Sequence, residues 1–443
     1  MKQIFIVLLA SGFVHCLCAQ DSSAIKINDL LTAYTKLSRF NGTALVARQD
    51  KIIFEKGYGL SNAEHQTSNN PHTIFQIASI TKQFTATVIL KLVEQKKMAL
   101  TDKLSKYYPD FPKGEDITIE NLLTHISGIF DYTHEDTVTH LDSEQKMMSF
   151  LKKKQLDFTP GTDWSYSNSG YSILGFIIQK VSGITYEQAV RKYIFKPLQM
   201  NSSGFDFEHL VNKEKATGYT VYSDSIKTAA PYSDSAIVFA AGSIYSTVED
   251  LYKWHEGLQH YRIVGKMLME KAYTPFKKNY GYGWIIDSVA ERRMLYHSGG
   301  ISGFSSNIAR IPEDGVCIVL LNNKEGREME TITRKIIDIL YNKPYTLPGK
   351  KKAVTLSLSM LEKYTGTYQL ESPRLVIEIS IDNGNLVAHA VNGPTFPLFA
   401  EKENLFFIQD DQAEIAFIPG ADSRVEKIEL YQNGQKNPGR KIK

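Results

Sequence analysis

Apolar residues along the chain hold one spacing for a stretch and then change it, and each change marks an element. Met1 to Ala19 has no period: Lys2 is followed by the short apolar run Ile4 to Val14, the pattern of an export signal cleaved after Ala19 rather than of a membrane span. From Ile25 to Ser38 apolar positions recur at helical spacing. Thr43 to Ala47 and Ile52 to Tyr58 then read as strands joined through Gln49-Asp50, a hairpin. Ile80 to Met98 reads as an amphipathic helix, entered from the short run Phe75 to Ala78. Thr118 caps a further helix that Gly128 ends, and Ser169 to Val181, Tyr186 to Phe195 and Thr247 to Leu258 are helical, with Pro197 closing the second of these.

Short strands return at Trp284 to Asp287, Arg293 to His297, Ser305 to Ile311 and Val316 to Asn322, and a helix follows at Met329 to Leu340. Strands, an insertion of helices, then strands and a last helix predict an α/β (α+β) fold: an antiparallel sheet flanked by helices, with a helical lobe between its halves. Residues 20–342 form that unit, and a basic Pro/Gly-containing linker covers 343–353. From 354 to 443 the chain is strand-like, with Asn383-Gly384 and Asn433-Gly434 as tight hairpin turns, so a separate β-domain is expected.

Composition narrows the class. A chain of 443 residues with 42% hydrophobic and 22% charged content has the makings of a large globular core. A formal net charge of +3 gives no reason to expect a nucleic acid partner. No stretch after the leader is long and apolar enough to span a bilayer. Of three cysteines, Cys16 and Cys18 leave with the leader, and Cys317 stays alone in the apolar run Val316 to Leu321 as a small buried hydrophobe. A lipoprotein is disfavoured, because Leu17 and His15 stand where a small residue would precede the modified cysteine. No Cys/His cluster has zinc-ligand spacing, and no metal or cofactor is expected. A small-molecule or peptide substrate is the expected partner, and oligomeric state is not legible.

The chemistry is carried by three motifs. Ser79-Ile80-Thr81-Lys82 reads S-x-x-K at a helix start. Residues three apart share a helix face, so Lys82 can reach the Ser79 hydroxyl and take its proton, and the helix N-terminus favours negative charge there. The same spacing at Ser23/Lys26, Ser143/Lys146 and Ser149/Lys152 shows how little the pattern means alone. Tyr166-Ser167-Asn168 supplies a phenol that can shuttle a proton if a nearby cation favours the phenolate, and an amide that can hold a substrate carbonyl or orient Lys82. His297-Ser298-Gly299-Gly300 ends a strand, where glycines let backbone approach a ligand and a sheet edge presents N–H groups. Tyr431-Gln432-Asn433 and His255-Glu256-Gly257 match the second and third patterns, but in a terminal hairpin and inside a helix.

In this order, S-x-x-K, Y-x-N and H-x-G make the chain resemble the serine β-lactamase and penicillin-binding-protein superfamily, in its branch of class C β-lactamases, D,D-carboxypeptidases, D-aminopeptidases and esterases. Leu122 to Gly128, Phe158 to Gly161, Pro197 to Met200, Ala241 to Ser243 and Gly281 to Trp284 match too. The resemblance implies that Ser79 is acylated and that Lys82 and Tyr166 share the acid and base work, without saying which acts first. It implies an oxyanion hole from the Ser79 and Gly300 N–H groups, Asn168 on the acyl side chain's amide, and His297 with Ser298 and Gly299 along the opposite wall. A histidine in place of the K-T-G lysine weakens the fixed charge for a substrate carboxylate and shifts weight from β-lactamase toward peptidase or esterase. The C-terminal part resembles the small lipocalin-like β-barrel appended to such hydrolases, on Tyr364 to Tyr368 and Gln432 to Gly434. The expectation is a secreted or periplasmic serine hydrolase of amides or esters, foremost D-amino-acid peptides. A carboxylesterase or β-lactamase, or a β-lactam or muropeptide sensor that acylates without turnover, are the alternatives.

Overall fold

A computed structural model gives the structure of residues 22–135, 140–223, 226–349, 352–371, 375–391, 393, 395–408, 413–420, 424–432 and 435–443. The leader at 1–19 and the Asn433-Gly434 turn lie outside these residues. Helix α1 spans Ser22–Lys36, and strands β1 (Gly42–Arg48) and β2 (Lys51–Tyr58) form the expected hairpin. Helices α2 (Thr81–Glu94), α3 (Ile119–Leu123), α4 (Asn168–Ser182) and α5 (Val248–Gln259) belong to the inserted lobe. The sheet is completed by β3 (Ile285–Val289), β4 (Arg292–Ile301), β5 (Phe304–Ile311) and β6 (Val316–Asn322), and α6 (Glu328–Leu340) follows. The order across the sheet is β2-β1-β6-β5-β4-β3, antiparallel throughout. The first hairpin therefore joins the last strand, with Gly42 opposite Asn322 and Ala47 opposite Cys317.

β1 and β6 read as unbroken apolar runs because the sheet is covered on both faces. Ala44, Val46, Ile318 and Leu320 pack with Leu30 and Leu31 of α1 and Ile332 and Ile336 of α6. Leu45, Ala47, Val319 and Leu321 turn the other way, into a core shared with α2, α4 and α5. α3 starts with a capping box between Thr118 and Asn121, and Thr247 caps α5.

α2 is not amphipathic. Every residue from Thr81 to Leu90 is buried, because α4 and the segments 186–195, 235–242 and 266–272 pack around it. This enclosure places Lys82 in a dry interior. Among the described residues, no helix is long and apolar enough to cross a membrane.

The C-terminal part is a closed antiparallel barrel of eight strands: β7 (Gly366–Leu370), β8 (Val376–Asp382), β9 (Asn385–Ala390), β10 (Thr395–Lys402), β11 (Leu405–Phe407), β12 (Glu414–Pro419), β13 (Val425–Gln432) and β14 (Gln435–Lys441). Its interior is filled rather than hollow. Tyr364, Tyr368, Phe406 and Phe417 are buried and make edge or tilted ring contacts with one another, with centroids from 4.8 to 5.8 Å apart.

Candidate active site

Ser79 stands where a strand turns into a helix. Phe75 and Gln76 pair with Tyr245 and Ser246, Ile77 N–H donates to Ile244 O, and Ala78 then adopts a left-handed φ of 47°. A non-glycine residue in that region is strained. The sharp reversal leaves Ser79 half-buried in a short 3-10 turn that leads into α2. Lys82 follows one turn later with no exposed surface.

Lys82 Nζ is placed by three oxygens. It lies 3.1 Å from Ser79 Oγ, 2.8 Å from Asn168 Oδ1 and 2.9 Å from the Ala241 carbonyl. Burial lowers its pKa from 10.5 to about 7, against an opposing pull from the Asp131 carboxylate. A neutral amine has two N–H bonds and one lone pair. Asn168 Oδ1 and Ala241 O can only accept, so they take the two N–H bonds, and the lone pair is left for the Ser79 O–H.

Tyr166 lies on the same side, with Lys82 Nζ 4.7 Å from the centre of its ring and a hydrogen bond to Ser79. The phenol is nevertheless raised above its ordinary pKa, since burial outweighs the hydrogen bond with Ser79. The expectation that the cation would favour a phenolate is therefore corrected: Tyr166 is a neutral phenol near neutral pH. Ser167 caps α4 through Gly170 N–H, and Asn168 is the first helical residue.

The H-x-G segment is brought to Ser79 by β4, which continues through His297 to Ile301 rather than ending at His297. β3 pairs with β4 only as far as Tyr296, so among the described residues that edge of β4 has no strand partner from His297 onward. The edge presses on the Ser79 turn: a Cβ on Gly299 would sit 2.3 Å from Ile77 O and 2.5 Å from Ser306 Oγ, which requires glycine there. Ser298 and Gly300 are exposed, and nothing lies within 4 Å of a Cβ on Gly300.

His297 itself is turned inward. Its Nδ1–H donates to Ser298 O at 2.6 Å, and its Nε2 accepts from Tyr280 Oη–H at 2.9 Å. Burial, reinforced by the Lys82 charge, lowers its pKa to about 3. Both nitrogens are thus used inside the protein and the ring is neutral, so this side chain offers no cation to a substrate carboxylate.

Two residues escaped the sequence reading. His125 lies in the matched stretch Leu122 to Gly128, but its place was not foreseen: its Nδ1 accepts Ser167 N–H at 3.1 Å, and its ring lies 4.4 Å from Tyr166 and 4.5 Å from Tyr280. Asp131 Oδ2 accepts from both Asn168 N–H (3.2 Å) and Asn168 Nδ2–H (2.9 Å). Its contact with Asn168 spans 37 residues of sequence, and no periodicity announces it.

Among the described residues, one group has metal-ligating types close together: Asp50, His255 and Glu256. The donor set does not fit a metal. Arg310 Nε–H donates to His255 Nδ1 at 2.9 Å, so the proton of the neutral ring sits on Nε2, the atom that would have to ligate. Cys317 is buried in the sheet, and its thiol is pushed up to about 12 by burial.

The comparisons with known proteins agree with this geometry. The Beta-lactamase family matches residues 27–342, and a domain of unknown function, DUF3471, matches residues 350–440. Penicillin-binding protein 4* of Bacillus subtilis (strain 168) is 27% identical over 89% of this chain and 94% of its own length. A putative penicillin-binding protein, PbpX, of the same organism is 32% identical over 71% of this chain and 78% of its own length. The octameric penicillin-binding protein homologue from Pyrococcus abyssi superposes with a TM-score of 0.67 at 26% identity, covering 94% of this chain and 99% of that one.

Proposed function

Since the chain belongs to the Beta-lactamase family and is a serine hydrolase of that fold, we propose that it cleaves amide or ester bonds in D-amino-acid-containing peptides through an acyl-Ser79 intermediate. The observation that carries the reading is the arrangement at Lys82, whose lone pair can only face the Ser79 hydroxyl. Neutral Lys82 takes the proton as Ser79 Oγ bonds to the substrate carbonyl carbon. The Ser79 and Gly300 N–H groups receive the charge that develops on the carbonyl oxygen. Collapse expels the amine or alcohol, which takes a proton delivered from Lys82 through the Tyr166 phenol. Water then attacks the acyl-Ser79 carbonyl by the reverse relay and releases the acid.

The inward, neutral His297 bears on substrate choice. Among the described residues, Lys82 is the only basic side chain of the buried site, and it is neutral as the base and turned to Ser79, which favours D-amino acid amides, internal D-peptide bonds and esters over a leaving group with a free carboxylate. The apolar leader supports an exported enzyme. The test is intact-mass measurement after incubation with a penicillin, run beside turnover of a D-amino acid amide, a D-Ala-D-Ala peptide and a p-nitrophenyl ester. A Ser79 adduct or turnover in the wild type, absent from Ser79→Ala, is expected. Full activity in Ser79→Ala refutes the assignment, and an adduct that never turns over makes the protein a sensor.

A further inference from the structure

We propose that Asp131 is a positioning residue for acylation: through the Asn168 amide, its carboxylate locks the orientation of the oxygen that holds Lys82 against Ser79. The proposal rests on the serine hydrolase reading above and extends it to a residue outside the three motifs.

Asp131 is 3% exposed and lies in the loop after α3. A carboxylate oxygen can only accept, so the amide end that faces it must be the NH2 group. Asn168 Nδ2 donates to Asp131 Oδ2 at 2.9 Å, and Oδ1 is thereby turned to Lys82 Nζ at 2.8 Å. A flipped amide would set oxygen against carboxylate and NH2 against the lysine amine. Without Asp131 that flip costs little, and Lys82 loses one of the two acceptors that aim its lone pair at Ser79. The same oxygen receives Asn168 N–H at 3.2 Å, which ties the first residue of α4 to the loop, and Asp131 Oδ1 accepts Thr133 N–H at 3.1 Å.

Asp131 also acts on Lys82 through its charge. The ionisable groups around Lys82 are Tyr166 and Tyr171, whose rings face Nζ, together with His125 and His297. Both phenols are raised by burial and both imidazoles lowered, so all four are neutral near neutral pH. Among the described residues, Asp131 is therefore the one full opposite charge acting on Lys82, and it lifts the lysine against desolvation. Asp157, Tyr132 and His134 stand beyond it: Asp157 senses both Asp131 and His134, and Tyr132 senses Asp131. Removing the Asp131 charge lowers the proton affinity of Lys82 further, so the neutral amine persists to lower pH.

A residue that merely capped α4 would change stability without changing a titration, so the test reads the titration. The full chain is labelled with 13Cε-lysine, and the Lys82 signal, assigned with Lys82→Met, is followed from about pH 5 to about pH 10. Acylation by p-nitrophenyl acetate is measured over the same range. Asp131→Asn is expected to move the Lys82 midpoint, and the acid limb of acylation with it, down by about 1–2 pH units. Its plateau rate is expected to fall by about tenfold or more. Asp131→Ser keeps an acceptor for the loop and helix N–H groups without the charge, and should shift the midpoint alike if Asp131→Asn folds poorly. Asp142→Asn, which removes a surface carboxylate paired with Lys146, should shift neither. A Lys82 midpoint unchanged in a folded Asp131→Asn or Asp131→Ser overturns the proposal. A wild type that p-nitrophenyl acetate does not acylate counts against the hydrolase reading instead, and the lysine titration still decides the role of Asp131.

Discussion

A neutral lysine in a dry interior stabilises the transition state at the expense of the fold, and the size of that expense can be worked out. Lys82 titrates at about 7 in the folded protein against 10.5 when solvated. The difference of about 3.5 units corresponds to ~5 kcal/mol at about 1.4 kcal/mol per unit. At and below about pH 7 both folded and unfolded chains carry the proton, and the folded state bears the whole cost of the buried charge. Between about 7 and 10.5 only the unfolded chain binds the proton, so the stability of the wild type rises with pH across that window. Lys82→Met, of similar length, removes this dependence. It also deprives the buried Ala241 carbonyl and Asn168 Oδ1 of their donor, a loss of about 2–3 kcal/mol together.

The net expectation for Lys82→Met is a gain of about 2 kcal/mol near pH 6–7 that shrinks as pH rises and becomes a loss above about pH 9. Urea unfolding followed by tryptophan fluorescence is the assay. The chain has 3 tryptophans, Trp164, Trp254 and Trp284, all ahead of the barrel, so the signal reports the hydrolase unit alone. Between about pH 7 and 9.5 the stability difference between variant and wild type should fall by ~3 kcal/mol. A difference that stays flat with pH, or a variant already less stable at about pH 6, refutes the claim that desolvation of Lys82 dominates its energetics.

The wild-type acylation rate should lose its plateau below about pH 7, where Lys82 takes up its proton, and a rate flat from about pH 5 to 8 would contradict the assignment of Lys82 as first base. Gly299→Ala forces β4 off the Ile77–Ala78 turn, so activity should drop by about 100-fold and stability by about 1–3 kcal/mol, while Gly300→Ala, with open space around it, should keep the wild-type unfolding midpoint. Phe417→Ala empties the centre of the barrel and should cost about 3–5 kcal/mol in a calorimetric transition of that unit, with the tryptophan transition unmoved. Equilibrium dialysis with Zn2+ should find no stoichiometric uptake at Asp50, His255 and Glu256, because Arg310 holds the His255 proton on Nε2.

Much of the hydrolase unit was legible because its signals are local or joint. β1 and β6 read as apolar runs, and the caps Thr118 and Thr247 set helix starts. Ser79 was separable from its decoys by order, and one decoy serves the fold instead, since Ser143 Oγ accepts the Lys146 backbone N–H as a helix cap. The barrel was legible only in part. β10 contains Pro397, and β14 carries Lys436, Pro438 and Arg440 with no apolar alternation. Both are strands because their neighbours demand it, β14 closing the ring between β13 and β7. Asp131, the inward turn of His297 and the burial of α2 on every side are tertiary facts. Each depends on a partner far away in sequence, and propensity and periodicity see only neighbours.

What the sequence could not reveal is also what makes the site work, and the costs fall in one place. Ala78 holds a left-handed φ, Lys82 is desolvated, and β4 runs on past the end of β3. Each of these would be selected against in a segment that only had to fold. They meet around Ser79, and each has a separate chemical use: the turn presents the hydroxyl, the dry pocket keeps the amine neutral, and the bare edge leaves N–H groups for a substrate. The sheet can bear them because it is packed on both faces, and the first hairpin is fastened to the last strand from Gly42 to Ala47. The inserted lobe then carries α4, with Tyr166 and Asn168 at its start, across α2 onto the buried amine. Parting α4 from α2 within the lobe would separate Asn168 from Lys82 before it disturbed the sheet. Loss of the low lysine pKa should therefore precede loss of fold as denaturant rises, and a lysine titration in mild urea, followed alongside the tryptophan signal, would show the order directly.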